Sequence, residues 1–172
     1  MIELAMEFFL GNLCIEIGLW SIKEKQFKKA DALFDTGAHT THIDTGTLKR
    51  LGYNLNEAEK SYISTVGSSK LQINNIVMDN IKIGSLELGA ALVNFSELSN
   101  VSASVILGMN IIKEFNVVLD FENEIITLKP NFDIKLTTPP ERFNKHDSRF
   151  GVWTINKKHE GKLLNENEDY NI

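Results

Sequence analysis

The chain reads as mainly β, folded into a closed or strongly curled barrel. Two observations predict this class. Short apolar runs recur through residues 1–130, separated by turn signals such as Gly11-Asn12, Gly84-Ser85 and Glu122-Asn123-Glu124, the punctuation of many short strands. Helical patterns are brief by comparison and occur at Thr47–Leu51 and Met109–Phe115. From Asn131 the character changes: Pro139-Pro140 and many polar residues set off a C-terminal extension, 131–172, from the domain at 1–130. Phe132, Phe143, Phe150, Val152 and Trp153 make that extension too apolar for a wholly disordered tail, so part of it is expected to dock.

The elements follow in order. Ile2, Leu4, Met6 and Phe8 alternate with Glu3, Ala5 and Glu7, the period of a half-buried strand. Leu13–Ile17 reads as a second strand, Gly18–Lys29 as a strand plus loop, and Ala30–Phe34 as a third strand. Thr47–Leu51 is a short helix stopped at Gly52, where glycine is favoured because it adopts positive φ. Tyr62–Ile73 reads as a hairpin tipped at Gly67-Ser68. Further strands fall near Ile76–Met78, Ile81–Ile83, Leu86–Leu88, Ala91–Phe95 and Val105–Leu107. Val117–Phe121 and Ile125–Lys129 form a last hairpin before Pro130.

At 172 residues the chain is long enough for one domain with a real core. Hydrophobic residues are 42% and charged residues 24%, an ordinary globular balance. The formal net charge of -5 argues against a nucleic-acid partner, which needs a basic face. A single cysteine, Cys14, forms no intrachain disulfide, and its place in an apolar strand marks a packed, inert thiol. The N-terminus lacks the basic start of a secretion signal and no apolar run has the length of a membrane span. A soluble, cytoplasmic protein without a membrane partner is expected.

Chemistry is concentrated at Ala32-Leu33-Phe34-Asp35-Thr36-Gly37-Ala38. An apolar strand ends abruptly in a carboxylate, a hydroxyl and a glycine. Burying an unpaired carboxylate is costly, and Gly37 lets the backbone turn sharply, so Asp35 is read as catalytic. A second Asp-Thr-Gly, Asp44-Thr45-Gly46, lies too near the first for each to have its own lobe. Asp44 instead precedes Thr47–Leu51, where a carboxylate caps exposed amides. His39 and His42 stand three apart, not the four of a helical metal pair, and no metal or other cofactor is expected. Asp120 precedes a hairpin and is assigned to that turn.

Three features in order carry a resemblance: Asp35-Thr36-Gly37-Ala38 after an apolar strand, a glycine-tipped hairpin near Thr65–Ser69, and Val105-Ile106-Leu107-Gly108 before a short helix. Over residues 1–130 the chain resembles the retropepsin-like aspartic proteases, a single-lobe group, and Leu107–Ile112 with Phe115–Asp120 is similar to its bacterial and cellular members. The resemblance implies a β-barrel lobe acting as a symmetric homodimer, each subunit contributing Asp35 to one shared site. Two carboxylates forced together share a proton and titrate as a pair. The ionised member takes a proton from water while the other donates to the scissile carbonyl.

By the same resemblance Thr36 links the two catalytic loops, Gly37 binds substrate backbone and Ala38 keeps the site floor shallow. Val66 and Gly67 belong to a flap that closes over an extended peptide. Ile106 lines a pocket and Gly108 permits close packing beneath the catalytic loop. His39 meets substrate, His39 and His42 stand where many relatives carry acids, small polar residues or aliphatics, and the extension falls outside the pattern. An aspartic-type endopeptidase acting on peptide or protein substrates is expected, the alternative being an inactive dimerisation or peptide-binding module on the same fold.

Overall fold

In chain order the strands are β1 (Ile2–Ala5), β2 (Glu7–Phe9), β3 (Asn12–Ser21), β4 (Gln26–Phe34), β5 (His42–Asp44), β6 (Glu59–Ile63), β7 (Leu71–Met78), β8 (Ile81–Ile83), β9 (Leu86–Glu87), β10 (Ala91–Ser96), β11 (Val105–Leu107), β12 (Phe115–Asp120) and β13 (Ile125–Pro130). Helices α1 (Thr45–Leu51) and α2 (Met109–Ile112), and a 3-10 turn at Leu55–Glu57, interrupt them. These elements come from a computed structural model that describes residues 1–63, 71–98, 101 and 103–131. The expected hairpin tip with Val66 and Gly67, and the extension beyond residue 131, lie outside the described residues.

The fold is mainly β, as expected, with two short α-helices. Ten strands share one sheet in the order β6-β7-β10-β5-β11-β4-β3-β8-β9, with β2 added on β3. Among the described residues this order is a path with β6 and β9 at its ends, and the ladder does not close into a barrel. A second sheet has the order β1-β13-β12.

Two strands differ from the sequence expectation. The alternation from Ile2 to Phe8 is continuous, yet β1 pairs with β13 while β2 pairs with β3. Met6 sits at the switch, buried, with its N–H donating to the Glu124 carbonyl at 2.8 Å. One alternating run thus serves two sheets because its ladder partner changes at that residue. The ambiguous Gly18–Lys29 stretch is the body of a regular β3–β4 hairpin, paired from Cys14↔Leu33 to Ser21↔Gln26. Adjacent lysines, Lys28 and Lys29, stand on opposite faces of β4 and hide the alternation. Cross-strand packing steadies it: the Trp20 and Phe27 rings meet edge to face at 5.2 Å, and Lys82 Nζ lies 5.5 Å over the Phe27 ring.

The core lies on one face of the long sheet. Ile15, Ile17, Leu19, Ala32, Ile43, Val93, Val105 and Leu107 are all buried there with Leu48 and Leu51 of α1 and Ile111 of α2. Each fully buried Ile or Leu stabilises the fold by about 1.5–3 kcal/mol. Helix α1 starts at Asp44, whose side chain accepts from the Thr47 N–H at 3.0 Å. It ends at Gly52 with φ 92°, a left-handed value that a side chain would strain. Both caps stand where the sequence puts them.

Candidate active site

Strand β4 runs parallel to β11 with Ala32↔Val105, Leu33↔Ile106 and Phe34↔Leu107 in register. The ladder continues one residue further, since the Asp35 N–H donates to the Leu107 carbonyl at 3.1 Å. Asp35 is therefore held by a sheet bond at the moment the chain leaves the sheet. The turn closes on the acid itself: the Gly37 N–H donates to Asp35 Oδ1 at 2.8 Å, and the Ala38 N–H to the Asp35 carbonyl at 3.3 Å. Asp35 is half-buried, while Thr36, Gly37 and His39 are exposed. The carboxylate is fixed in direction and its second oxygen is left for other chemistry.

The loop after the turn is clamped from beneath by the start of α2. The Met109 N–H donates to the Ala38 carbonyl at 2.7 Å and the Asn110 N–H to the His39 carbonyl at 3.0 Å. Such contacts need backbone against backbone. A Cβ on Gly108 would stand 2.6 Å from the Thr40 carbonyl carbon, 2.8 Å from the Thr41 nitrogen and 2.9 Å from the Ala38 oxygen. Glycine is the side chain that fits.

Two further residues complete the clamp, and sequence reasoning passed over both. Thr41 and Asn110 are buried. Asn110 Oδ1 accepts from the Thr41 N–H and from Thr41 Oγ1, each at 2.8 Å. Thr41 Oγ1 in turn accepts from the Gly108 N–H at 3.1 Å, and Asn110 Nδ2 donates to the Leu92 carbonyl at 3.2 Å. This small network joins the loop, α2 and β10 in one polar knot, and satisfied buried networks of this kind enforce a single arrangement. A signal was present: Asn110 is the polar residue inside Met109-Asn110-Ile111-Ile112.

Strand β5 returns the chain between β11 and β10, with His42 opposite both Ile106 and Asn94. His42 Nε2 and Ser96 Oγ are 2.9 Å apart. Burial pushes the imidazole below its ordinary value, opposed by the charge of Asp44. At Asp44 burial raises the carboxyl, but the amides of Leu98, Thr47 and Gly46 and the charge of Arg50 outweigh it and hold the group below its usual range. Asp44 is thereby committed to capping, apart from Asp35.

The structure thus brings Asp35, Thr36, Gly37, Ala38 and His39 into one turn and loop, sets Ile106 on the neighbouring strand and puts Gly108 underneath. The other candidates stay away from it. Cys14 is buried in β3, its thiol pushed up by burial and by the charges of Asp31 and Glu7. Asp120 accepts from the Glu122 and Asn123 amides at 3.1 and 3.0 Å, so it serves the β12–β13 turn. Among the described residues no group of three or more His, Cys, Asp or Glu could hold a metal ion, and no helix is long and apolar enough to cross a membrane.

A family profile described as "gag-polyprotein putative aspartyl protease" matches residues 24–114, from the β3–β4 turn through α2. That span is more than half of the chain and holds the whole Asp35 constellation. The chain belongs to this aspartyl protease family. Its retropepsin-like character extends to the three-dimensional fold. A retropepsin-like aspartic protease from Rickettsia conorii superposes with a TM-score of 0.52 at 17% sequence identity, covering 74% of this chain and 88% of that one. At such identity the likeness is one of fold. No curated protein matches the sequence.

Proposed function

We propose that the protein is an aspartic-type endopeptidase that works as a symmetric homodimer, with the two Asp35 carboxylates activating one water between them. The observation that carries this reading is the turn at the end of β4. There a family-typical Asp-Thr-Gly is fixed by the Leu107 carbonyl and the Gly37 amide and stands at the surface of a single lobe. One exposed half-site has one carboxylate. The reaction needs a general base and a general acid, and a second copy supplies the missing partner.

In this reading Asp35 does the proton transfer. Thr36 bridges the loops of the two subunits, and Gly37 and Ala38 meet substrate backbone. His39 and Ile106 face substrate side chains, and Val66 and Gly67 close over the peptide. Gly108 supports the loop. Residues 1–130 form the protease lobe, strongly curled around the core, and 131–172 are an appended extension. No cofactor takes part.

The test is hydrolysis of a random-sequence peptide library by the wild-type protein and by Asp35→Asn. Removing the ionisable group lowers kcat by at least about 100-fold, the usual scale of a lost general acid–base group. A mutant that cleaves as fast as wild type overturns the mechanism. Peptides that bind both proteins and are cut by neither establish the non-catalytic binding module instead.

A further inference from the structure

The sheet register extends the site beyond Asp35. Residues opposite one another across a ladder project to the same face, and along a strand every second residue does so. Leu33 on β4 lies two positions before Asp35, whose N–H extends the ladder to Leu107; Ile106 is opposite Leu33, and His42 is opposite Ile106. Ser96 is opposite Asp44, two positions from the Asn94–His42 pair. Burial distinguishes the two faces along this row, although Asn94 opposite His42 and Cys14 opposite Leu33 are themselves buried. Ala32, Ile43, Val105 and Leu107 are at most 1% exposed and belong to the core, whereas Leu33, Asp35, His42 and Ile106 are part-exposed and Ser96 is exposed. The face that carries the catalytic acid therefore runs from two aliphatic residues to an imidazole and a hydroxyl in contact at 2.9 Å.

We propose that His42 and Ser96 form a polar wall of the substrate subsite beside Asp35 and select a peptide side chain that both donates and accepts hydrogen bonds, a carboxamide, over an aliphatic one. This inference rests on the protease reading of the site and names its substrate class.

Hydrogen-bond chemistry singles out the carboxamide. Whichever partner donates between Nε2 and Oγ, the pair keeps one further donor and one further acceptor for a ligand. Asn and Gln side chains carry both. A carboxylate only accepts, and it meets Asp44 two positions along β5. An ammonium only donates, and the Asp44 oxygens that would attract it already accept from the Thr47 and Leu98 amides at 3.0 and 3.2 Å. An aliphatic side chain would leave the pair's remaining donor and acceptor desolvated and unmatched, the situation by which polar pockets reject apolar analogues.

The experiment compares peptide pairs that differ only by Gln against Leu, scanned through each position flanking a cleaved bond, with wild type, His42→Val and Ser96→Ala. Ser96 is exposed, so its variant keeps the test open if His42→Val does not fold by circular dichroism. Wild type favours Gln at one subsite by about tenfold in kcat/KM, His42→Val reverses that preference, Ser96→Ala weakens it, and the other subsites keep their order. A profile unchanged in every folded variant overturns the polar wall while leaving the protease reading intact. If no peptide is cleaved, the same pairs are read by capture on immobilised protein. Gln enrichment that is lost in the variants supports the wall even though catalysis has failed, and capture without such enrichment, or no capture at all, overturns it.

Discussion

Gly108 has backbone atoms of Ala38, Thr40 and Thr41 where a side chain would go, the nearest at 2.6 Å from a built Cβ. Backbone cannot swing aside as the end of a long side chain can, so Gly108→Ala must displace the Asp35 loop. The expected cost is about 1–3 kcal/mol, the range of overpacked cores, seen as a lower urea midpoint. Peptidase activity falls further than stability alone explains, because the loop that moves is the one that carries the site. At His42 the consequence is a pH dependence. Burial holds the folded imidazole below its ordinary value, with Asp44 opposing. As pH falls through about 6.5 the unfolded chain takes up its proton first, so stability contributed by the neutral form is present above that value and declines as pH drops toward the folded pKa. Urea unfolding at about pH 7.5 and about pH 5.5 shows a smaller loss for His42→Val than for wild type. An equal loss in both refutes the assignment. Neither effect is visible in sequence. Glycine before a short helix is common, and a histidine at an odd position carries no label for its neighbours.

Among the elements, the β11–α2 junction organises the site. Val105-Ile106-Leu107 supplies the parallel strand that holds β4 in register, and α2 turns at once so that its first amides meet the Ala38 and His39 carbonyls. Asn110 ties this junction to Thr41 and Leu92. Replacing Asn110 by Ala strands the Thr41 amide and hydroxyl without their acceptor, at about 1–3 kcal/mol for buried unsatisfied groups. Hydrogen exchange at the Thr41 amide should accelerate more than exchange in β3, and unaltered exchange there argues against the clamp. The elements most readable in advance were those with local causes: α1 between its Asp44 and Gly52 caps, the β12–β13 hairpin at Asp120, and the run at Val105. The least readable were those whose partners lie far off in sequence. The alternation from Ile2 to Phe8 gives no hint that the strand changes sheets at Met6, because the residue that receives its N–H, Glu124, stands at the other end of the domain.

At the scale of the molecule, the lobe carries one Asp-Thr-Gly turn of the family type, with Thr36, Gly37 and His39 exposed, and under the proposed function that is half of a site. On the proposed homodimer, specific activity is lost on dilution below the dimer dissociation constant. Adding excess Asp35→Asn protein suppresses the wild type through mixed dimers. Sedimentation velocity run beside the assay gives the check, and a monomer that cleaves peptides at full rate overturns the shared site. The exposed apolar residues Phe8, Phe9, Leu10, Val118 and Phe121, with the Phe8 and Phe121 rings 6.3 Å apart, place an apolar surface at the β2 and β12 end of the lobe. That surface was not foreseeable from a strand pattern that promised one buried face.

Short apolar runs between turn residues were enough to establish a mainly β chain with two short helices, and the order of Asp35-Thr36-Gly37, the glycine hairpin and Ile106-Leu107-Gly108 was enough to place it in its family. Those properties are local. They depend on backbone preferences and on residue types that few other chemistries require together. The parallel pairing that fixes Asp35, the Asn110 knot beneath the loop and the row from Leu33 through Ile106 to His42 and Ser96 belong to the folded chain, since each joins segments tens of residues apart whose hydrogen-bond partners leave no periodic trace in sequence. The candidate acid Asp35 was legible because its own neighbours announce it. Its surroundings were not, because they are neighbours only in space.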